Sequence, residues 1–420
     1  ISVANVNMES QVGAKVDQSV LGQADNQFGD IQVTAQNDIS HAYKNVAADI
    51  SSLLGVAVGK GAINVNTGTS VTVSNSQMYG GNITVGADEK RNINANMVGV
   101  GVGAANVGVN VMYTNVGTSL KDSYDYDRSG EGENASYDTK ELQNYVNEAL
   151  SRMNQQAEKA KTYDSSIEKG STTINKGDAS KAGLTTAVSN STLMADDELD
   201  IHAKATTNTN VFIHQAGVGI ANVAVAANRM DVEDKLHVSM TDAVLSGNQV
   251  QIRSITDGLL ESYTGQGGFS GATYADTTGY VKHGGTNTIS VDDSTITSAG
   301  HPLWLQALNQ AKIDNTSMNI NLAGVDAGRM VLDSEDSSEV AVQLGEKSKK
   351  RNTLNASSID VEVKNAPGVK SESKANVTPI SVVKAKGVIT TAKATGKAML
   401  TVSGQNTFDT GKESGKVSLS

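Results

Sequence analysis

The sequence predicts an all-β chain, a parallel β-helix (β-solenoid) with a helical insertion. Three observations predict it: a composition poor in bulky side chains, a repeat of about 52 residues, and a break in the strand pattern at Lys121–Asp178. Aromatic residues make up 4% of the 420, with one tryptophan and four phenylalanines. Valine, isoleucine, alanine, threonine, serine, asparagine and glycine suit thin strands joined by polar turns. A propeller would carry aromatic signatures in blades of about 40–45 residues, and a sandwich array needs one thick core per repeat. Stacked parallel turns need only small β-branched residues inside, and neighbouring turns satisfy one another's backbone groups.

The repeat is read from self-comparison. Gly101–Val109 (GVGAANVGV) aligns without gaps with Gly217–Val225 (GVGIANVAV), an offset of 116 that also carries Ile83–Ala87 onto Leu199–Ala203. Shorter offsets place Gly29–Val33 before Gly81–Val85, and Leu199–Ile201 before Val250–Ile252, Leu303–Leu305 and Ile359–Val361. Segments such as Ser70–Ser74, Lys235–Ser239 and Thr288–Asp292 alternate with period two, the mark of a strand with one buried face. With about 20 residues in a typical coil, each unit is expected to supply two or three coils, and the offset of 116 reads as slightly more than two units.

Three regions follow in order. Residues 1–120 are rungs, 121–178 the insertion, and 179–420 rungs continuing the same solenoid. Within the insertion, Asp138–Glu141 has the form of a capped helix start, with Tyr137 and Leu142 at the staple spacing. Leu142, Tyr145, Val146, Ala149, Leu150 and Met153 then keep the helical period, which predicts a helix over about 139–161. Its stripe either packs on the solenoid or engages a partner, so Leu142, Tyr145, Val146 and Leu150 are candidate partner-binding residues. Gly265–Gly284 reads as a second irregular region, although Gly268–Tyr274 keeps the repeat register.

The acidic clusters Asp196–Glu198, Asp292–Asp293 and Asp333–Asp336, the candidates for acid–base chemistry, all read as solvated strand ends or turns. The histidines show no metal-site spacing, and His202 and His237 read as outward-facing. No phosphate loop, nucleophile elbow or calcium nonapeptide is present. Trp304, between Leu303 and Leu305, reads as core. Lys347, Lys349, Lys350 and Arg351 form the one basic cluster, so Lys349, Lys350 and Arg351 are candidate contacts for anionic glycans. No catalytic, cofactor or metal residue is assigned, and the expectation is a protein that is not an enzyme.

The net charge of −11 offers no concentrated basic face for nucleic acid. With no cysteine, disulfides and thiolate chemistry are excluded. The chain opens at Ile1 without the features of a signal peptide and reads as an excised fragment or a processed product, expected to be monomeric as a fragment. No run reaches the roughly 18 apolar residues of a membrane helix.

The repeats Gly101–Val109 and Gly217–Val225, with their flanking Ile-x-Val strands and Asn/Ser turns, resemble the passenger repeats of filamentous-haemagglutinin-like exoproteins, particularly leukotoxin-type filamentous adhesins. The resemblance covers most of the chain outside Lys121–Asp178. It implies a right-handed parallel β-helix, exported by a type V route (autotransporter or two-partner) through an outer-membrane transporter. It also implies display at a bacterial cell surface or release outside, with a host-cell or bacterial surface protein or glycan as partner in adhesion and virulence. The expected function is therefore an adhesin stalk segment. The alternatives are a polysaccharide-degrading β-helix enzyme and a fragment of a secreted cytotoxin.

Overall fold

The computed structural model describes residues 2–25, 28–50, 54–119, 177–345, 351–375, 383–411 and 415–420. These form twenty-five strands in one continuous sheet, with parallel pairing throughout the registers, and no helix among the described residues. The predicted helix at 139–161 lies outside them.

One column shows how the turns stack. Ile31 pairs with Ile83, Ile83 with Leu199, then Val250, Leu303, Ile359 and Val417, each directly above the last. Six of these seven aliphatic side chains are buried, and Val417 on the terminal turn is 39% exposed. Neighbouring strands lie about 4.8 Å apart, so seven turns rise roughly 30 Å.

Each repeat of about 52 residues is a single turn rather than two or three coils, because Leu199 and Val250 are direct ladder partners. Equally, Gly101 pairs with Gly217 with no turn between them, so the offset of 116 is one turn enlarged by the insertion. The turns are large because their strands bend without breaking the ladder, as in Glu198–Thr241.

Two apolar compartments fill each turn. The wider holds the Ile31-to-Ile359 column together with Val71, Val188, Leu236 and Val238. The narrower holds Ile63, Met97, Met112, Val211, Ile213 and Met230, within a flattened arm. Its outgoing wall is Thr209–Gly219 and its return wall Ala221–Val232 in the third turn. Near the tip the walls approach so closely that a Cβ on Gly217 would meet Asn222, and one on Gly101 would meet Asn106. This accounts for the repeated Gly-x-Gly followed by Asn, since the asparagine occupies space that a facing side chain would need. Asn106 donates to Asn222 Oδ1 at 2.8 Å, joining successive turns.

A left-handed corner recurs in every turn. Gln18, Asn75, Asn190, Asp242 and Asp293 have φ of 47–50°, and Gly345 and Gly404 have φ of 78° and 69°. Asn, Asp and Gly tolerate this region best. The next residue in four of these turns is serine, and Ser76 Oγ accepts from Ser19 N while Ser191 Oγ accepts from Ser76 N, both at 3.1 Å.

The glycine-rich stretch 265–284 is not irregular. It lies within the strand Leu259–Asp292, and Gly268–Tyr274 pairs in register with Gly217–Val223.

Candidate functional site

Where the wide compartment narrows into the arm, the interior is charged. Arg91, on the outgoing wall, is 1% exposed. Its guanidinium meets Glu89 at 2.9 Å and Asp234 of the return wall at 2.5 Å, and donates to Thr207 at 3.1 Å. Thr67 donates to Glu89 from the turn below. Above, His283 bridges Asp234 at 3.1 Å and Asp336 at 2.6 Å, while Asn309 donates to Asp336 at 3.2 Å. These contacts make a buried ionic column through successive turns.

Burial and pairing compete along it. Burial disfavours a charged His283, yet hydrogen bonds to Asp234 and Asp336 push its value up to about 9. Burial works to raise Asp234, but Arg91 and His283 hold it below the usual carboxylate range. Asp336 is likewise held low against burial, chiefly by His283. For Glu89, burial wins over Arg91 and pushes the carboxyl up. The column is sealed inside the stack, so its role is to hold the two walls together.

Asp333–Asp336 is therefore a strand end but, against the sequence expectation, not a solvated one. It ends the strand Lys312–Asp336, with Asp333 6% and Asp336 0% exposed. Asp196–Asp197 does lie at a bend, and Asp293 occupies the left-handed corner.

Outside, a second ionic group surrounds His202, which faces outward as expected. Its ring contacts Asp200 at 2.9 Å and Asp88 at 3.3 Å, and Arg253 reaches Asp200 at 2.8 Å. Partial burial opposes the charged imidazole, but the two carboxylates push it up to about 9. The ring lies over Gly86, where a Cβ would collide with it.

Trp304 is not core. The strand Leu303–Asn309 buries Leu303 and Leu305 and turns Trp304 outward, half-buried. It stands between Gln251 and Asp360 in its column. Beside it run Arg253, Gln306 and Glu362, and Gln306 donates to Glu362 at 3.0 Å. A broad indole among amides and carboxylates is the kind of surface on which a sugar ring stacks and hydrogen-bonds.

On the wide compartment's outer side, an open groove of about 450 Å³ lies where the chain re-enters the stack after the insertion. Gln11, Ser70, Lys181, Thr185, Lys235 and His237 are among its lining residues. Gln11 donates to Lys181 O at 3.2 Å. Partial burial lowers the His237 value, which keeps the ring neutral and able to hydrogen-bond. Hydroxyls, an amide and an imidazole can exchange hydrogen bonds with a polyhydroxylated ligand.

Of the residues singled out from sequence, Arg351 is exposed at the start of the strand Arg351–Ala356, where it donates to Gln405 at 3.4 Å. Lys349, Lys350, Leu142, Tyr145, Val146 and Leu150 lie outside the described residues. Among the described residues no group of three or more His, Cys, Asp or Glu is arranged to hold a metal ion, and no helix is long and apolar enough to cross a membrane. Comparisons with protein-family models, with curated proteins and with solved structures each found no match.

Proposed function

We propose that this chain is a stalk segment of a surface-exposed adhesin, a non-catalytic rod with the right-handed winding of filamentous exoproteins. One observation carries the reading: seven turns stack in unbroken register, so the chain adds length at about 4.8 Å per turn while its side chains fill the interior. Recognition then falls to the outer surface. The groove at Lys235 and His237 and the indole of Trp304 both suit glycans, and Lys235, His237 and Trp304 all stand on strands. Export through an outer-membrane transporter and folding turn upon turn outside fit a stack in which each turn templates the next.

The test is binding of the folded chain to a glycan array and to host cells. Trp304→Ala, His237→Ala and a variant replacing Lys121–Asp178 by a short turn run beside it. Loss of specific binding in one of the three, with far-UV circular dichroism preserved, identifies the contact surface. No binding by the intact chain refutes adhesion by this segment and leaves it a spacer. Trp304 beside Asp360 and Glu362 also gives a polysaccharide-degrading reading one foothold. Release of reducing ends from bound glycans, abolished in Asp360→Asn or Glu362→Gln, is the outcome that would replace the adhesin with an enzyme.

A further inference from the structure

The outer face of the arm is unlike the rest of the molecule. In a chain with 19% charged residues, three adjacent outward columns cross four or five turns without an Asp, Glu, Lys or Arg. They run from Val46 to Met318, from Ala48 to Ile320, and from Val102 to Leu322, the last through four turns. Exposed apolar side chains gather here, with Val46 68%, Ile220 73%, Phe269 65% and Val218 45% exposed. With Ile220 beyond the three columns, at 3.3 Å per residue and 4.8 Å per turn, the face measures roughly 26 by 24 Å, about 600 Å².

Charge frames this face. Exposed Lys44 stands in the next column at the lowest turn, and exposed Lys374 pairs above Met318. An apolar centre with a charged rim is the arrangement of a protein interface, and the area is at the upper end of what monomers leave open. Two such faces together would bury about 1,200 Å², the lower bound for a specific stable complex.

The relief of the face is self-complementary. Phe269 projects beside Gly267, where a Cβ would make ordinary contact with His214 and Ile320 at 3.6 Å, so the glycine leaves a shallow hollow between them. Knob and hollow lie two residues apart in one strand. A two-fold axis between them seats each Phe269 in the other copy's hollow, and the flat walls pack sheet on sheet.

We propose that two copies of this chain pair through the outer faces of their arms, Phe269 of each occupying the Gly267 hollow of the other. The pairing goes beyond the adhesin reading and stands whether or not the chain binds a glycan. Sedimentation velocity on the intact chain, between about 1 and 100 μM, tests it. The 43.6 kDa species is expected to give way to a dimer over that range. Phe269→Asp and Gly267→Trp should each weaken the dimer at least about tenfold with circular dichroism unchanged. Val244→Asp, at a 41% exposed site on a corner of the wide compartment, should leave it intact. A chain monomeric at the highest concentration overturns the proposal, and the face would then await a foreign partner. A dimer that survives Phe269→Asp also overturns it and assigns association to the open ends of the stack, where Met399 and Val402 are exposed.

Discussion

Replacing Arg91 by methionine keeps the bulk of the side chain and removes its charge. Glu89 and Asp234 then face each other, fully buried, without the guanidinium between them. Breaking a buried ion pair by deleting one partner costs about 3–5 kcal/mol. Unfolding entropy is about 2.1 cal/mol/K per residue, so if all 420 residues melt together this lowers Tm by about 3–6 °C. If only the affected turn and its two neighbours melt as a unit, roughly 150 residues, the drop is about 10–15 °C. Circular dichroism and the fluorescence of the single tryptophan, Trp304, followed together, separate the two cases. The double variant Arg91→Met with Glu89→Gln removes one stranded carboxylate and leaves Asp234 its contact with His283. It should recover about 1–3 kcal/mol of the loss. A change below about 1 kcal/mol in Arg91→Met, or a double variant no better than the single, would refute the claim that the column holds the walls together.

Further outcomes follow from the same geometry. His283 is raised above its ordinary 6.5 to about 9, so its protonated form stabilises the fold. That contribution is complete below 6.5 and is lost as pH rises through about 9; urea midpoints should fall over this window in the native chain and fall less in His283→Gln, where His202 still titrates across it. Asp234 and Asp336 are held low, so their contribution is present above 3.8 and fades as pH drops below it. At the left-handed corner, Gln18→Gly should stabilise by up to about 1 kcal/mol and Asn75→Ala should destabilise by a similar amount, measured by urea denaturation. Leu199→Ala, in the fully buried column, should cost about 2–5 kcal/mol in the same assay.

The register of the stack was legible before the structure, because each turn repeats the same inward residue types. The offsets that align Ile83, Leu199, Val250, Leu303 and Ile359 are the ladder pairings themselves. The size of a turn was not legible, since period-two alternation reports which face is buried and carries nothing about where the chain closes on itself. Trp304 misled because a bulky residue between two leucines looks like core, whereas strict alternation after the inward Leu303 turns it out. The ionic column was hidden for a different reason. Arg91, Asp234, His283 and Asp336 are scattered through a polar sequence, and only the meeting of the two walls makes them partners. Asn75, Asn190 and Asp242, each at the end of an alternating strand, were a usable signal for the corner.

The length of a turn also decides how such a rod behaves under load. A tether pulled from its ends peels turns from the exposed end of the stack, one ladder at a time. Each turn of about 52 residues, such as Leu199 to Val250, contributes about 4.8 Å of height while folded. Drawn out, the same residues span roughly 175 Å. Losing one turn therefore lengthens the tether more than thirtyfold over that turn's folded height. If the chain is the stalk proposed above, it yields to flow in long discrete steps, and each released turn can wind back onto the template beneath it.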